Sequence, residues 1–185
     1  MLILVVGPSG AGKDTLLDAA RAELAGDGRF RFVQREITRP ADAGGEAHRA
    51  VSEAEFSARA AAGGYALWWR AHGLGYGIPA DITDDLAAGR VVVANASRSV
   101  LAEAAARFAL RVLEITAAPE VLAARLAARG RESAADIAER VRRAVALPAG
   151  LEVVTVVNDG TLAAGAARVV GVLRGARKQA THKET

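Results

Sequence analysis

The sequence predicts an α/β protein built on a parallel sheet with helices against both faces. Two observations carry this. Short, nearly unbroken apolar runs (Leu2–Val6, Val91–Ala94, Leu110–Ile115, Val153–Val157) alternate with longer stretches of helical periodicity, and strands that read as continuous apolar runs belong to sheets covered on both sides. Hydrophobic residues make up 51% of the 185 positions but aromatic residues only 4%. Such an Ala-, Val- and Leu-rich composition suits a helix-rich α/β core better than a sandwich. The length fits one domain with a sizeable core.

The first run leads into Gly7-Pro8-Ser9-Gly10-Ala11-Gly12-Lys13-Asp14-Thr15 and then a helical pattern through Leu16, Leu17, Ala20 and Leu24. Gly, four residues, Gly-Lys between a strand and a helix is a phosphate-binding loop. Its glycines let backbone N–H groups turn inward, the helix start adds the positive end of its dipole, and Lys13 brings a mobile charge to the outer phosphates. A glycine-rich turn with a surface lysine is the alternative, and the strand–helix context argues against it. The residues from Gly7 to Thr15 are therefore expected to bind a nucleoside triphosphate. After Lys13 the usual hydroxyl residue is replaced by Asp14. Two readings stay open: an acidic residue favoured by the helix dipole, or a hard oxygen ligand for Mg²⁺, with Thr15 as a second candidate metal ligand.

Taken in order, a helix to about Ala25 precedes a second strand from Phe30 to Thr38. Residues 41–47 are a turn-rich connector. Ser52-Glu53-Ala54-Glu55 predicts a capping box opening a helix to about Ala62. Tyr65–Arg70 reads as a short strand, and Gly73, Gly75 and Gly77 around Tyr76 as a tight loop. Helices follow over 79–88, 99–108, 119–128, about 133–147 and 161–173, between the strands named above. Right-handed crossovers connect such parallel strands. The segment from Arg39 to Gly77 interrupts the alternation, which is where a substrate lobe would sit.

The net charge is +3 and the pI near 9.8, but the arginines are spread along the chain, which suits a polyphosphate substrate better than nucleic acid. The absence of cysteine excludes disulfides, Cys-ligated zinc and thiol catalysis. A strand beginning at Leu2 leaves no room for a signal peptide, and no apolar run is long enough to span a bilayer. A cytoplasmic protein that contacts neither membrane nor nucleic acid is expected, as a monomer or homodimer.

Phosphoryl transfer needs cations on the acceptor and on the transferring phosphates. Arg125, Arg129, Arg131, Arg140, Arg142 and Arg143 surround Gly130, a pattern suited to an Arg-rich lid, or to a solvated basic helix face. Arg35, Arg39, His48 and Arg49 lie between the second strand and the capping box, and arginine forks match phosphate oxygens.

Gly7–Lys13, Ile37-Thr38-Arg39-Pro40, Val51–Phe56, Trp68–Gly77, Arg125–Gly130, Arg140 and Asn158-Asp159 together resemble the guanylate kinase superfamily over nearly the whole chain. The resemblance implies a P-loop NTPase fold of guanylate-kinase-like type, with a parallel five-stranded core sheet, a small substrate lobe and the lid. It implies one kinase domain over 1–176, with core 1–38 and 79–176, lobe 39–78, lid about 126–140 and a disordered tail at 177–185. Arg125, Arg129 and Arg140 match lid arginines that act with Lys13 in catalysis. Asn158 and Arg129 match positions bordering the adenine, and Arg39 and Tyr76 match contacts to the acceptor phosphate.

The departures are informative. The base-reading glutamate of guanylate kinases is replaced by Leu67 or Trp68, depending on the gap chosen, and neither accepts a base N–H. Leaving guanine's donors unpaired costs roughly a few kcal/mol. The phosphate-binding tyrosine is replaced by His48. The aspartate at the end of the central strand is missing where Asn95-Ala96-Ser97-Arg98 stands, which suggests that Asp14 has taken over its metal role with Asn95 or Ser97 as neutral partner.

Gly12-Lys13-Asp14, Ile37-Thr38-Arg39, Asn95-Ala96-Ser97-Arg98, Arg129-Gly130-Arg131-Glu132 and Asn158-Asp159-Gly160 are similar to the ribose 1,5-bisphosphate phosphokinase family of phosphonate breakdown. That likeness implies ATP- and Mg²⁺-dependent conversion of ribose 1,5-bisphosphate, a small phosphorylated sugar, to 5-phosphoribosyl 1-diphosphate. Arg35, Arg39, His48, Tyr76 and Arg98 are then the expected substrate-binding residues. A guanylate or other nucleoside monophosphate kinase, and a non-catalytic binding module, are the alternatives.

Overall fold

The computed structural model describes residues 1–42, 46–128 and 147–180, with the backbone alone for 177–180. Its core is a five-stranded sheet of β1 (Leu2–Val6), β2 (Phe30–Phe32), β7 (Val91–Asn95), β8 (Leu110–Thr116) and β9 (Val153–Val157) in the order β2-β7-β1-β8-β9. Every neighbouring pair is parallel. The expected fold class is therefore observed. All of β1 is solvent-inaccessible, as the centre of a doubly covered sheet requires.

Period-two alternation sends the sheet's side chains to two separate cores. Ile3, Val5, Val93, Leu113 and Ile115 pack with α1 (Lys13–Glu23) and the last helix, α6 (Leu162–Ala180). Leu2, Leu4, Val6, Val92, Ala94 and Val112 pack on the opposite side. That layer contains α3 (Ile82–Ala87), α4 (Leu101–Arg107) after a 3-10 turn at Arg98–Val100, and residues of a second sheet. The helix α5 (Pro119–Ala128) follows β8.

The second sheet contains β3 (Glu36–Ile37), β4 (Arg49–Ala50), β5 (Tyr65–Ala71) and β6 (Leu74–Pro79) in the order β4-β3-β6-β5. Here the structure departs from the sequence-based expectation twice. The segment Phe30–Thr38 is not one strand. Its first three residues pair with β7, and Glu36–Ile37 pair with β4 and β6, so the chain changes sheets between Phe32 and Glu36. The glycine-rich stretch around Tyr76 is a strand, not a loop. Gly75 and Gly77 face the rings of Phe56 and Tyr65, and a Cβ on Gly75 would lie 2.8 Å from Phe56. Those glycines serve close packing rather than a turn. The turn of the β5–β6 hairpin is His72-Gly73, both with positive φ, which gives His72 a structural role.

The capping box forms as expected at the start of α2 (Glu53–Ala61): Ser52 Oγ accepts from Glu55 N at 3.2 Å, and Ser52 N donates to Glu55 Oε2 at 2.7 Å. Phe56 on this helix is fully buried under the second sheet. Beside it, the buried carboxylate of Glu36 accepts from Tyr65 Oη at 2.8 Å and pairs with Arg59 and Arg49. Burial, then Glu36, pushes the Tyr65 phenol well above its ordinary pKa. The last helix runs through Ala180 rather than stopping near Leu173, because no proline interrupts it and its apolar face (Val169, Val170, Leu173, Ala176) stays buried. Residues 181–185 of the expected tail, and the helix expected near 133–147 apart from Leu147, lie outside the described residues.

Candidate active site

The phosphate loop joins β1 to α1 as expected. Gly12 caps α1 in the left-handed region (φ 83°), and a Cβ there would lie 2.6 Å from Asn158 Nδ2. Glycine is thus required on both conformational and steric grounds. Lys13 folds back over the loop, its ammonium donating to the carbonyls of Gly7 at 2.8 Å and Pro8 at 3.0 Å. Burial lowers its pKa to about 8, and the charges of Arg35 and Arg98 push the same way against Asp14 and Glu46. Two of the electrostatic neighbours of Lys13, Arg35 and Arg98, are therefore residues expected on the acceptor side.

Two of the expected residues brace the loop. Asn158, at the end of β9, donates from Nδ2 to Ala11 O at 2.8 Å. Arg125, near the end of α5, reaches the carbonyls of Asn158 at 2.9 Å and Gly10 at 3.4 Å. Its guanidinium therefore sits against the loop where phosphates are expected. Arg129 and Arg140, with Arg131, Arg142 and Arg143, lie outside the described residues.

Asp14 Oδ1 accepts from Asn95 Nδ2 at 2.7 Å, and the same nitrogen donates to Glu46 Oε2 at 3.2 Å. Asn95 rather than Ser97 is thus the residue hydrogen-bonded to Asp14, and Ser97 caps the 3-10 turn by accepting from Ser99 N at 3.2 Å. Thr15 is exposed on α1. Among the described residues no group of three or more His, Cys, Asp or Glu side chains could hold a metal ion. Asp14 and the Asn95 amide oxygen are nevertheless hard oxygen donors of the kind Mg²⁺ takes alongside substrate phosphates and water.

On the acceptor side, Arg35 stands at the change of sheets. Its side chain is only 11% exposed and pairs with Glu46. Its guanidinium carbon lies 5.4 Å from the Trp69 ring centroid and 5.2 Å from that of Tyr76, and the two rings stack at 5.4 Å with planes 3° apart. Arg39 Nη2 lies 3.2 Å from His48 Nδ1. His48 is buried, with Nε2 3.0 Å from Arg39 O and Nδ1 3.0 Å from Glu46 O, so its ring staples the connector. Arg98 pairs with Glu114 at 3.0 Å. Among the described residues, the buried Nε atoms of Arg39 and Arg98 have no hydrogen-bond partner. A buried guanidinium N–H left in this state is worth about 1–3 kcal/mol to any acceptor that reaches it.

Leu67 is fully buried in the second core, and Trp68 is 45% exposed on the outer side against Phe56. Neither offers an acceptor to a base. Sequence reasoning missed Glu46, Trp69 and Glu114. A glutamate after two loop glycines carries no periodic signal, and Trp69 differs from Trp68 only by the face on which a strand places it.

The parallel core with its strand–loop–helix phosphate cradle defines a guanylate-kinase-like P-loop protein. The solved guanylate kinase of Anaplasma phagocytophilum matches 96% of this chain and 85% of its own with a TM-score of 0.68 at 17% identity. No protein-family model matches the chain, but curated relatives do. The chain is 50% identical over 175 residues to the ribose 1,5-bisphosphate phosphokinase PhnN of Agrobacterium fabrum, covering 94% of this chain and 96% of that protein. It is 51% identical over 175 residues to a bifunctional ribose 1,5-bisphosphokinase-thymidine phosphorylase of Azorhizobium caulinodans, covering 94% of this chain but only 25% of that relative's length. The chain belongs to the ribose 1,5-bisphosphate phosphokinase family. No helix among the described residues is long and apolar enough to cross a membrane.

Proposed function

We propose that this protein transfers the γ-phosphoryl group of ATP to α-D-ribose 1,5-bisphosphate, giving 5-phospho-α-D-ribose 1-diphosphate and ADP. The half-identity to the Agrobacterium phosphokinase along nearly all of both chains is the observation that carries it. The site's chemistry supports the same reading. An acceptor without a base needs no base-reading acid, and the two positions where one is expected hold buried Leu67 and outward-facing Trp68. An acceptor with two phosphates needs cations, and Arg35 and Arg98 lie close enough to the phosphate loop to act on Lys13, with Arg39 as a further candidate.

The nucleophile is a phosphate oxygen, already ionised at neutral pH, so no general base is required. The work is placement and charge stabilisation. Backbone N–H groups of Gly10–Lys13 cradle the donor phosphates. Lys13 leaves the carbonyls of Gly7 and Pro8 for the outer phosphate oxygens, and Arg125, held at the Gly10 carbonyl, adds a second cation at the loop. Arg39 and Arg98 bring their unpaired Nε–H groups to the acceptor phosphates. Asp14, with Asn95, would hold Mg²⁺, which would supply charge screening for the phosphates. Arg129 and Arg140 complete the charge over the transferring group. The protein works in the cytoplasm, where ATP is supplied, and binds neither nucleic acid nor membrane.

The test is ADP release from ATP and Mg²⁺ with ribose 1,5-bisphosphate and GMP offered in parallel. Release with the bisphosphate, with 5-phosphoribosyl 1-diphosphate as product, is expected. Release with GMP alone would return the protein to guanylate kinase chemistry.

A further inference from the structure

Glu46 has no part in the reaction as described above, yet its carboxylate joins the two halves of the site. Oε1 accepts from Arg35 Nε at 3.1 Å and also from Arg35 Nη2, while Oε2 accepts from Asn95 Nδ2 at 3.2 Å. The same Asn95 nitrogen donates to Asp14 at 2.7 Å. An unbroken run of hydrogen bonds therefore connects the first turn of α1 with the guanidinium at the change of sheets.

The Arg35 guanidinium also lies against the stacked pair of rings formed by Trp69 and Tyr76. Glu46 takes the Nε–Nη2 edge. The structure gives Nη1 no hydrogen-bond partner among the described residues. A guanidinium presents its N–H groups in a rigid fork, so fixing one edge fixes where the others point. The charge of Glu46 is matched by Arg35, and its other oxygen accepts from the Asn95 amide, so it does not stand bare against an incoming anion.

We propose that Glu46 is a positioning residue for the acceptor: it locks Arg35 so that the remaining N–H groups meet an acceptor phosphate at a set distance from the phosphate loop. The ordering of a long side chain is done before binding rather than during it, which is the general route by which preorganisation raises affinity. The proposal rests on the phosphokinase reading for the identity of the acceptor.

Glu46→Gln keeps the shape but removes the charge and one acceptor oxygen, and Glu46→Asp keeps the charge on a shorter arm. The expected result for Glu46→Gln is a KM for ribose 1,5-bisphosphate raised about tenfold, with kcat within about threefold and ATP affinity within about twofold. Glu46→Asp should fall between this variant and the wild type. Binding is also read without turnover, from Trp69 emission in a Trp68→Phe background titrated with ribose 1,5-bisphosphate. The emission change should saturate at about tenfold higher concentration in Glu46→Gln.

An unchanged acceptor KM overturns the proposal. So does a lowered one, which would make Glu46 a competitor for Arg35, or an equal loss of acceptor and ATP affinity, which marks a general structural role. If the wild type neither binds nor turns over ribose 1,5-bisphosphate, the acceptor is misassigned and the proposal falls with it. That outcome is separable from a wild type that works and a Glu46→Gln variant that matches it.

Discussion

Asn158 and Ala11 are joined by a 2.8 Å hydrogen bond across 147 residues of sequence. The end of β9 thereby holds the phosphate loop from beneath, and the Asn158 carbonyl in turn receives Arg125. Asn158→Ala leaves the Ala11 carbonyl without this strut, while the backbone carbonyl that receives Arg125 remains. The KM for ATP should rise several-fold with little change in the KM for the acceptor. Equal changes in both would show that the strut does not act through the loop.

Lys13 makes the free protein's ATP site pH-dependent. With a pKa of about 8 against 10.5 for an ordinary lysine, it begins to lose its proton above neutrality. In the window between those values the unfolded chain holds a proton that the folded chain does not, so ligand-free stability rises with pH there and is flat below it. Bound phosphates restore the ammonium. ATP binding near pH 8.5 should therefore take up protons, visible as a dependence of calorimetric heat on buffer ionisation enthalpy. Lys13→Arg, whose guanidinium does not titrate in this range, should abolish the uptake. Uptake that persists in that variant must come from another group.

Phosphate loop, strand before and helix after were legible in the sequence because each is a local signal. Asp14 and Asn95 could be singled out together as well, since one hard oxygen ligand had vanished where another had been gained, and a hydrogen bond joins them. The second sheet was not. Two-residue strands such as Glu36–Ile37 carry no periodicity, and Gly75 and Gly77 resemble turn residues until the rings of Phe56 and Tyr65 are seen above them. Glu46 was hidden for the same reason. Its meaning lies wholly in Arg35 and Asn95, which are 11 and 49 residues away.

Asp14 should be essential to metal use rather than to folding. Asp14→Ser restores the common hydroxyl but removes the carboxylate and the Asn95 contact. The Mg²⁺ concentration for half-maximal activity should rise roughly tenfold or more, with the thermal midpoint nearly unchanged. Activity with the wild-type Mg²⁺ requirement would remove Asp14 from the metal site.

Gly77 tests the strand assignment. A Cβ at this position would collide with the Tyr65 ring, so Gly77→Ala should cost about 1–3 kcal/mol as overpacking. Urea denaturation should report the loss as a lowered midpoint with an unchanged slope. Alanine at Gly28, which has open space around it, should leave the midpoint almost where it was. If the two variants behave alike, Gly77 is not packed under Tyr65.

β1 is wholly inaccessible and hydrogen-bonded to a parallel neighbour on each side. Its amides can exchange with deuterated solvent only when the whole sheet opens, so Leu4 and Val5 should mark the slowest tier of exchange in the molecule. The phosphate loop hangs directly from that tier. One end of the most ligand-responsive segment is thus anchored in the part of the chain that fluctuates least, and binding can reshape the loop without any breathing of the strand that carries it.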